Sequence, residues 1–398
     1  MIWISYEEAL DQMRAALPSP GSGEIVALEE AAGRVCRGSI AAREDYPHFD
    51  NSAVDGYAVG WPEDAVAGAR LTLDVRIAAG SPPHGALRRG AAARVLTGSV
   101  VPEDAFAVVM QEEVCVESDA IVLGEVAVEG QHIRRAGDDF FTGSPLLATG
   151  DRLGAGAIAL LASQGLVQVE VYERPTVAVL TTGDELVPHG QEPRPGCLRD
   201  SNGPMLAVLA RSAGADRAFV AHVPDDREAT REAIVSLSES HDVLLCAGGA
   251  SVGDRDHIPS LVAELGDIVF HGVGIRPGKP VLMGRIGPCT VFGLPGNPGS
   301  AFVTFELFSR EAIARLGGAA KPEPLWVEAA LDGDAKATNR DDFLRCSWVG
   351  ETERPTVRPA GIQGSFGIRS LAHAQCLARI PAGRACRPGS IVSVLPLP

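Results

Sequence analysis

The chain has 398 residues, 45% hydrophobic and 22% charged, the composition of a soluble globular protein long enough for two to four domains. Its 35 basic and 51 acidic residues leave a formal net charge of −16, which argues against a broad nucleic-acid footprint and makes any anionic substrate dependent on local cations and backbone N–H groups. No apolar run reaches the roughly 20 residues of a membrane span, and the opening MIWISYEEAL lacks a secretory pattern, so the expected compartment is the cytoplasm, with no membrane partner.

Ser5 and Glu8 form the S-x-x-E signature of a capping box, and Leu10, Met13 and Leu17 recur at helical spacing. This predicts an amphipathic helix that stops before Pro18. Residues 45–135 read as a small β domain, with apolar alternation in RLTLDVRIAAG, ARVLTGSV, AFAVVMQEEVCV and AIVLGEVAV. Near its start lies FDNSAVDGYAV, residues 49–59, which is densely polar. Asp50 and Asn51 suit a helix cap or an Asx-turn, and Asp55-Gly56 suits a hairpin turn. AGAIALLASQGL predicts a helix stopped at Gly165. Its loose G-x-G-x-x-A is read as a helix start, because no strand precedes it.

From Pro175 the texture changes. Strand-like runs (TVAVLTTG, RAFVAHVP, DVLLCAGG, TVFGLPG) alternate with helical ones (GPMLAVLARSAG, REATREAIVSLSES, IPSLVAELG, GSAFVTFELFSREAIARLG). That alternation predicts a doubly wound, mostly parallel α/β domain. Short strands return from about residue 321 and read as a barrel-like module. The expected fold is therefore an α/β multidomain chain. An N-terminal helical and linker region spans 1–44 and 136–173, an inserted β domain 45–135, the α/β domain 174–320 and a C-terminal β domain 321–398. The eight cysteines show no metal-ligand spacing, and those inside apolar strands, such as Cys246, are expected to be inert buried thiols.

In an open parallel sheet, ligands bind beyond the carboxyl ends of the strands. Those ends carry TTGDEL (181–186), PDD (224–226), AGGASVGDRD (247–256) and LPGNPGSA (294–301). Asp226 or Asp254 alone is most simply a helix cap. Four such loops on one rim point to a site. Glycine N–H groups can cradle an anion, and Glu185, Asp225 and Asp256 would be reconciled with it by a hard cation such as Mg²⁺. IRPGKP (275–280) supplies Arg276 and Lys279 on a Pro-Gly turn that is not a P-loop. Arg345 and Ser365, in NRDDFLR and GIQGSFGIRS, offer further donors to a small oxyanion.

FDNSAVDGYAV, LTGSVVP, GQHIRRAGDD, TTGDEL, GGASVGDRD, IRPGKP, GLPGNPGSA and GIQGSFGIRS occur in this order and together resemble the molybdopterin molybdenumtransferase family, to which the second catalytic domain of gephyrin is similar. The resemblance implies four domains and an elongated homodimer, with the cleft between the α/β domain of one subunit and N-terminal segments of the other. It implies insertion of molybdenum from molybdate into adenylylated molybdopterin, with release of AMP in a Mg²⁺-dependent step. It also makes the molybdopterin adenylyltransferase a candidate partner. Matched by motif, Asp55, Thr97, Asp139, Glu185, Asp225 and Asp256 take the family's active-site positions, with Asp225 and Asp256 as the metal ligands. Arg276, Lys279, Ser300, Arg345 and Ser365 would line the molybdate pocket. Gly272 departs from the long polar residue common in the family, and Arg276 replaces a common Lys. The competing functions are a non-catalytic scaffold or inactive paralogue, which has no need of Asp55, Asp225 and Asp256 together, and the adenylyltransferase, which lacks the added β domains.

Overall fold

In the computed structural model, which describes residues 3–249, 256–350 and 354–398, Ser5 caps the first helix as its spacing predicts. Its Oγ accepts the Glu8 N–H at 3.1 Å, and helix α1 runs Tyr6–Ala16. Tyr6, Ala9 and Met13 form its buried stripe and join the largest apolar cluster. Full burial of a side chain such as Met13 contributes about 1.5–3 kcal/mol. The chain forms two compact units, one of residues 1–38, 149–158 and 167–398, the other of 39–148 and 159–166. This division is coarser than the four regions expected. No helix among the described residues is long and apolar enough to cross a membrane.

In the second unit a six-stranded sheet has the order 107–110, 56–59, 91–95, 70–77, 120–123 and 114–116. Gly56–Val59, wholly buried, pairs with strands on both sides, so Asp55-Gly56 enters a central strand rather than a hairpin turn. Gly56 is required there, because a Cβ would lie 2.2 Å from the Val109 carbonyl oxygen. Helix α2, Ala155–Ser163, begins at the glycine-rich stretch as predicted, and Gly165 follows it at φ +68°.

The first unit is built on a six-stranded sheet in the order 218–223, 177–182, 243–247, 289–294, 282–286 and 267–271. The first four strands are parallel. The last two, Leu282–Ile286 and Asp267–His271, run antiparallel and were not foreseen as strands. Val177–Thr182, Val243–Ala247 and Cys289–Leu294 are buried throughout, as strands covered on both faces are. The helices are α3 (Asn202–Ala213), α4 (Arg227–Ser240), α5 (Ile258–Leu265) and α6 (Pro298–Thr304), the last continuing through a π-helical turn, Phe305–Ser309, into α7 (Arg310–Leu316). Glu311 of α7 is buried between Arg14 of α1 and Arg315, with Nε–Oε1 distances of 2.7 Å to each. Those two arginines hold its carboxyl below the usual range despite the opposing effect of burial.

The C-terminal strands 341–349, 356–359, 327–331, 390–396 and 376–380 pair in turn, and the last closes back on the first to make a five-stranded barrel. Ile275–Arg276 adds to its strand Asp341–Val349, and helix α8 (Ile368–Ala372) follows the loop 361–367. Strand Thr356–Pro359 had no predicted counterpart. Cys36, Cys246, Cys289, Cys346, Cys376 and Cys386 are buried free thiols, and desolvation pushes Cys289, Cys346 and Cys376 up to about 12, so these three stay protonated and unreactive.

Candidate active site

A cleft of about 1290 Å³ opens at the carboxyl ends of the four parallel strands, where the sheet reverses its winding. Val177–Thr182 delivers Gly183 and the exposed Glu185 to it. Gly183, at φ +146°, leaves room for the Glu185 carboxylate, which would stand 2.4 Å from a Cβ. Ala218–Val223 delivers Asp225, half-buried, whose N–H donates to Asp184 Oδ1 at 3.1 Å. Asp226 is the cap of α4 and accepts the Ala229 N–H at 2.8 Å, so the simpler reading of that residue holds. Val243–Ala247 delivers Gly248 and Gly249, and Asp256 lines the cleft beyond them. The segment 250–255, including Asp254 and most of the GGASVGDRD motif, lies outside the described residues.

Cations line the same cleft. Arg276 and Lys279 face the cleft from the Pro-Gly turn. Arg276 pairs with the buried Asp342, whose carboxyl is pushed up by burial against the pull of that arginine. The Lys279 ammonium lies 4.4 Å from the centroid of the Trp3 ring, a cation–π contact that fixes its direction. Trp3 is placed by backbone pairing: Ile4 N–H donates to Gly272 O, and Gly274 N–H to Ile4 O at 2.8 Å. Gly272 adopts φ +93°, a conformation that favours glycine, and it does not line the cleft.

Ser300 of α6 and Ser365 of the barrel loop also line the cleft. Arg345 does not. It is fully buried, and its Nη2 donates to the carbonyls of Ile362 and Gly364 at 3.0 and 2.9 Å. Gln363 closes the arrangement, accepting the Arg345 N–H and donating to its carbonyl. The expectation that Arg345 lines the pocket is therefore corrected: it clamps the loop that carries Ser365. Arg345 Nε and Nη1 have no hydrogen-bond partner, and burial lowers the pKa of the guanidinium. Gly299 makes the fit possible, since a Cβ there would stand 2.3 Å from Nη1 and 2.7 Å from the Ser365 carbonyl oxygen.

Asp55, Thr97 and Asp139 belong to the second unit and are exposed. Asp55 accepts both the N–H and the hydroxyl of Thr97, at 2.7 and 2.8 Å, and these two bonds hold its carboxyl below the usual range. Asp50 pairs with Arg135, and the Asn51 side chain donates to Phe49 O. Trp3, Asp342 and Asn202 had no advance signal: Asp342 and Asn202 line the cleft, and Trp3 acts on it by way of Lys279 without lining it. Asn202 Nδ2 donates to Gly296 O at 2.7 Å, while its buried Oδ1 has no hydrogen-bond partner. No group of three or more His, Cys, Asp or Glu side chains suited to a metal lies among the described residues.

A cleft that gathers carboxylates, cations and hydroxyls at the ends of parallel strands defines a multidomain α/β protein with a strand-edge site. Residues 4–165 match the MoeA N-terminal region (domains I and II), 178–315 a probable molybdopterin-binding domain, and 329–397 the MoeA C-terminal region (domain IV). A molybdopterin molybdenumtransferase of Haemophilus influenzae is 33% identical over 94% of this chain and 93% of its own, and one of Nostoc is 35% identical over 96% and 90%. The crystal structure of a molybdopterin biosynthesis MoeA protein from Pyrococcus horikoshii covers 100% of both chains with a TM-score of 0.86 at 29% identity. The chain belongs to the molybdopterin molybdenumtransferase family, and its place is in molybdenum cofactor biosynthesis.

Proposed function

We propose that the cleft inserts molybdenum from molybdate into adenylylated molybdopterin and releases AMP, with Mg²⁺ as cofactor. The observation that carries this reading is one cleft lined both by Glu185, Asp225 and Asp256 and by Arg276, Lys279, Ser300 and Ser365. The donor set fits Mg²⁺, which keeps several waters and binds through one or two carboxylates plus substrate phosphate rather than in a protein cage. Asp225 and Asp256 would hold it, where it would offset phosphate charge as the anhydride to AMP breaks.

The remaining roles follow from the chain itself. Molybdate is a compact dianion, and Lys279, aimed by Trp3, and Arg276 supply its countercharge. Because Asp342 already balances much of Arg276, Lys279 contributes the larger net field. Ser300 and Ser365 donate hydroxyl hydrogens, and Arg345 keeps the loop of Ser365 in place. In a homodimer, Asp55, Thr97 and Asp139 would complete the partner's cleft, and the adenylyltransferase would hand over the substrate.

The test is AMP release from adenylylated molybdopterin, with molybdate and Mg²⁺ omitted in turn. Release that needs both supports the reading. Release that is indifferent to molybdate, or adenylate formation from ATP and molybdopterin, contradicts it.

A further inference from the structure

A second cavity of about 360 Å³ lies in the first unit, lined by residues near 33–35, 150–152, 172–174, the end of α3, α7 and 319–322. Nothing in the reaction above uses it. Its charge is unusual for this chain. Arg34, Arg152, Arg174, Arg310 and Lys321 line it against one carboxylate, Asp151, in a molecule of net charge −16.

Structural duties account for part of this charge. Arg310 pairs with Glu306 and donates to Ser212 Oγ at 3.1 Å. Arg34 pairs with Glu24 and donates to the Tyr172 carbonyl at 2.8 Å. The carboxyl ends of α3 and α7 attract cations through their dipoles, an effect of about half a charge each. Arg152, Arg174 and Lys321 are exposed and form no ion pair or side-chain hydrogen bond with the described residues. These last three cations also repel one another, a cost that a bound anion would offset.

Two further features shape the cavity. Arg34 is nine-tenths buried and held by Glu24 and the Tyr172 carbonyl, which fixes its guanidinium at the wall. The frame is also built to a fixed shape. Gly150, at φ +89°, meets Ala320 so closely that a Cβ would stand 2.5 Å from the Ala320 Cβ, and the Ala320 N–H donates to Gly150 O at 3.0 Å. Val35, Tyr172, Ile313 and Pro322 supply apolar wall. The volume lies in the range of small-molecule sites, about 300–1,000 Å³, and exceeds that of a bare oxyanion.

We infer that this cavity is a binding site for a phosphate ester with an apolar or aromatic body, of which a nucleoside monophosphate is the simplest representative. The phosphate would lie among Arg34, Arg152 and Arg174, and the body against Tyr172 and Pro322. The inference does not rest on the insertase reading.

The test uses the full-length protein, titrated with inorganic phosphate and with AMP, and followed by hydrogen exchange of segments 33–38, 150–153 and 319–322. AMP should protect these segments and bind at least threefold more tightly there than phosphate. Arg152→Ala with Arg174→Ala should weaken that binding at least tenfold and leave molybdate-dependent AMP release unchanged. Lys321→Ala, a single exposed change, should weaken it severalfold and serves if the double variant fails to fold. Absence of protection at saturating AMP, or equal affinity in wild type and variants, overturns the inference. Equal binding of phosphate and AMP overturns the role of the apolar wall. Loss of AMP release in the wild type would bear only on the strand-edge cleft.

Discussion

At the scale of single residues, the cleft depends on side chains that never touch its solvent. Arg345 is the clearest case. Its Nη2 donates to two carbonyls of the loop 361–367, and removing it leaves the Ile362 carbonyl without that donor and the Gly364 carbonyl with the Gly367 N–H alone. A hydrogen bond to a charged group contributes about 1.5–3 kcal/mol. Arg345→Ala should therefore raise hydrogen exchange throughout 361–367 while exchange in the parallel sheet stays unchanged; intact protection of the loop would remove the clamp from the account. Trp3 acts on Lys279 in the same indirect way. Trp3→Leu should raise the molybdate concentration needed for half-maximal turnover severalfold, and Trp3→Phe less, because both remove area but only leucine removes the ring face. Most strand-end residues of the cleft were legible, since glycines and acids after each parallel strand mark a ligand edge. Trp3 was not, because its meeting with Lys279 depends on pairing between residues about 270 apart in the chain. Arg345 was legible as a functional cation but not as a buried one, for nothing in NRDDFLR tells which face of the barrel strand it occupies.

At the scale of elements, α1 and α7 are joined by a carboxylate that both helices need. Glu311 has a side-chain exposure of 2% and lies between Arg14 and Arg315. Its lowered pKa makes its contribution to stability fully present above the unfolded value of 4.5 and lost as pH falls through the lower folded value. Breaking a buried pair costs about 3 kcal/mol, so Glu311→Gln should lower the melting temperature at pH 7, and the gap to wild type should narrow in acid. A gap that is constant with pH would mean the charge plays no part. The seam between α6 and the barrel loop is steric. Gly299→Ala should cost about 1–3 kcal/mol, because Arg345 and the Ser365 carbonyl occupy the space of a Cβ. The alternation of strands and helices foretold the four parallel strands but not Leu282–Ile286 and Asp267–His271. Those two are joined through the Pro-Gly turn rather than through a helix, so they carry no βαβ signature.

At the scale of the whole molecule, sequence order and spatial order part company. The cleft draws on Trp3, four strand ends, a Pro-Gly turn and the C-terminal barrel, all within one compact unit. Asp55, Thr97 and Asp139 lie in the other unit. If the homodimer shares its sites, mixing Asp55→Ala subunits with Asp256→Ala subunits should restore activity to a fraction of the dimers, because one cleft of each mixed pair is whole. No restoration would place every functional group within one chain. The central claim is that acids and cations of a single cleft divide the work between metal-assisted phosphate chemistry and oxyanion capture. The most direct test is AMP release as a function of molybdate concentration in wild type, Asp256→Ala and Lys279→Ala. The account predicts that Asp256→Ala lowers the maximal rate at least about 100-fold, while Lys279→Ala keeps a measurable maximal rate but needs at least tenfold more molybdate. Wild-type curves from both variants would contradict it.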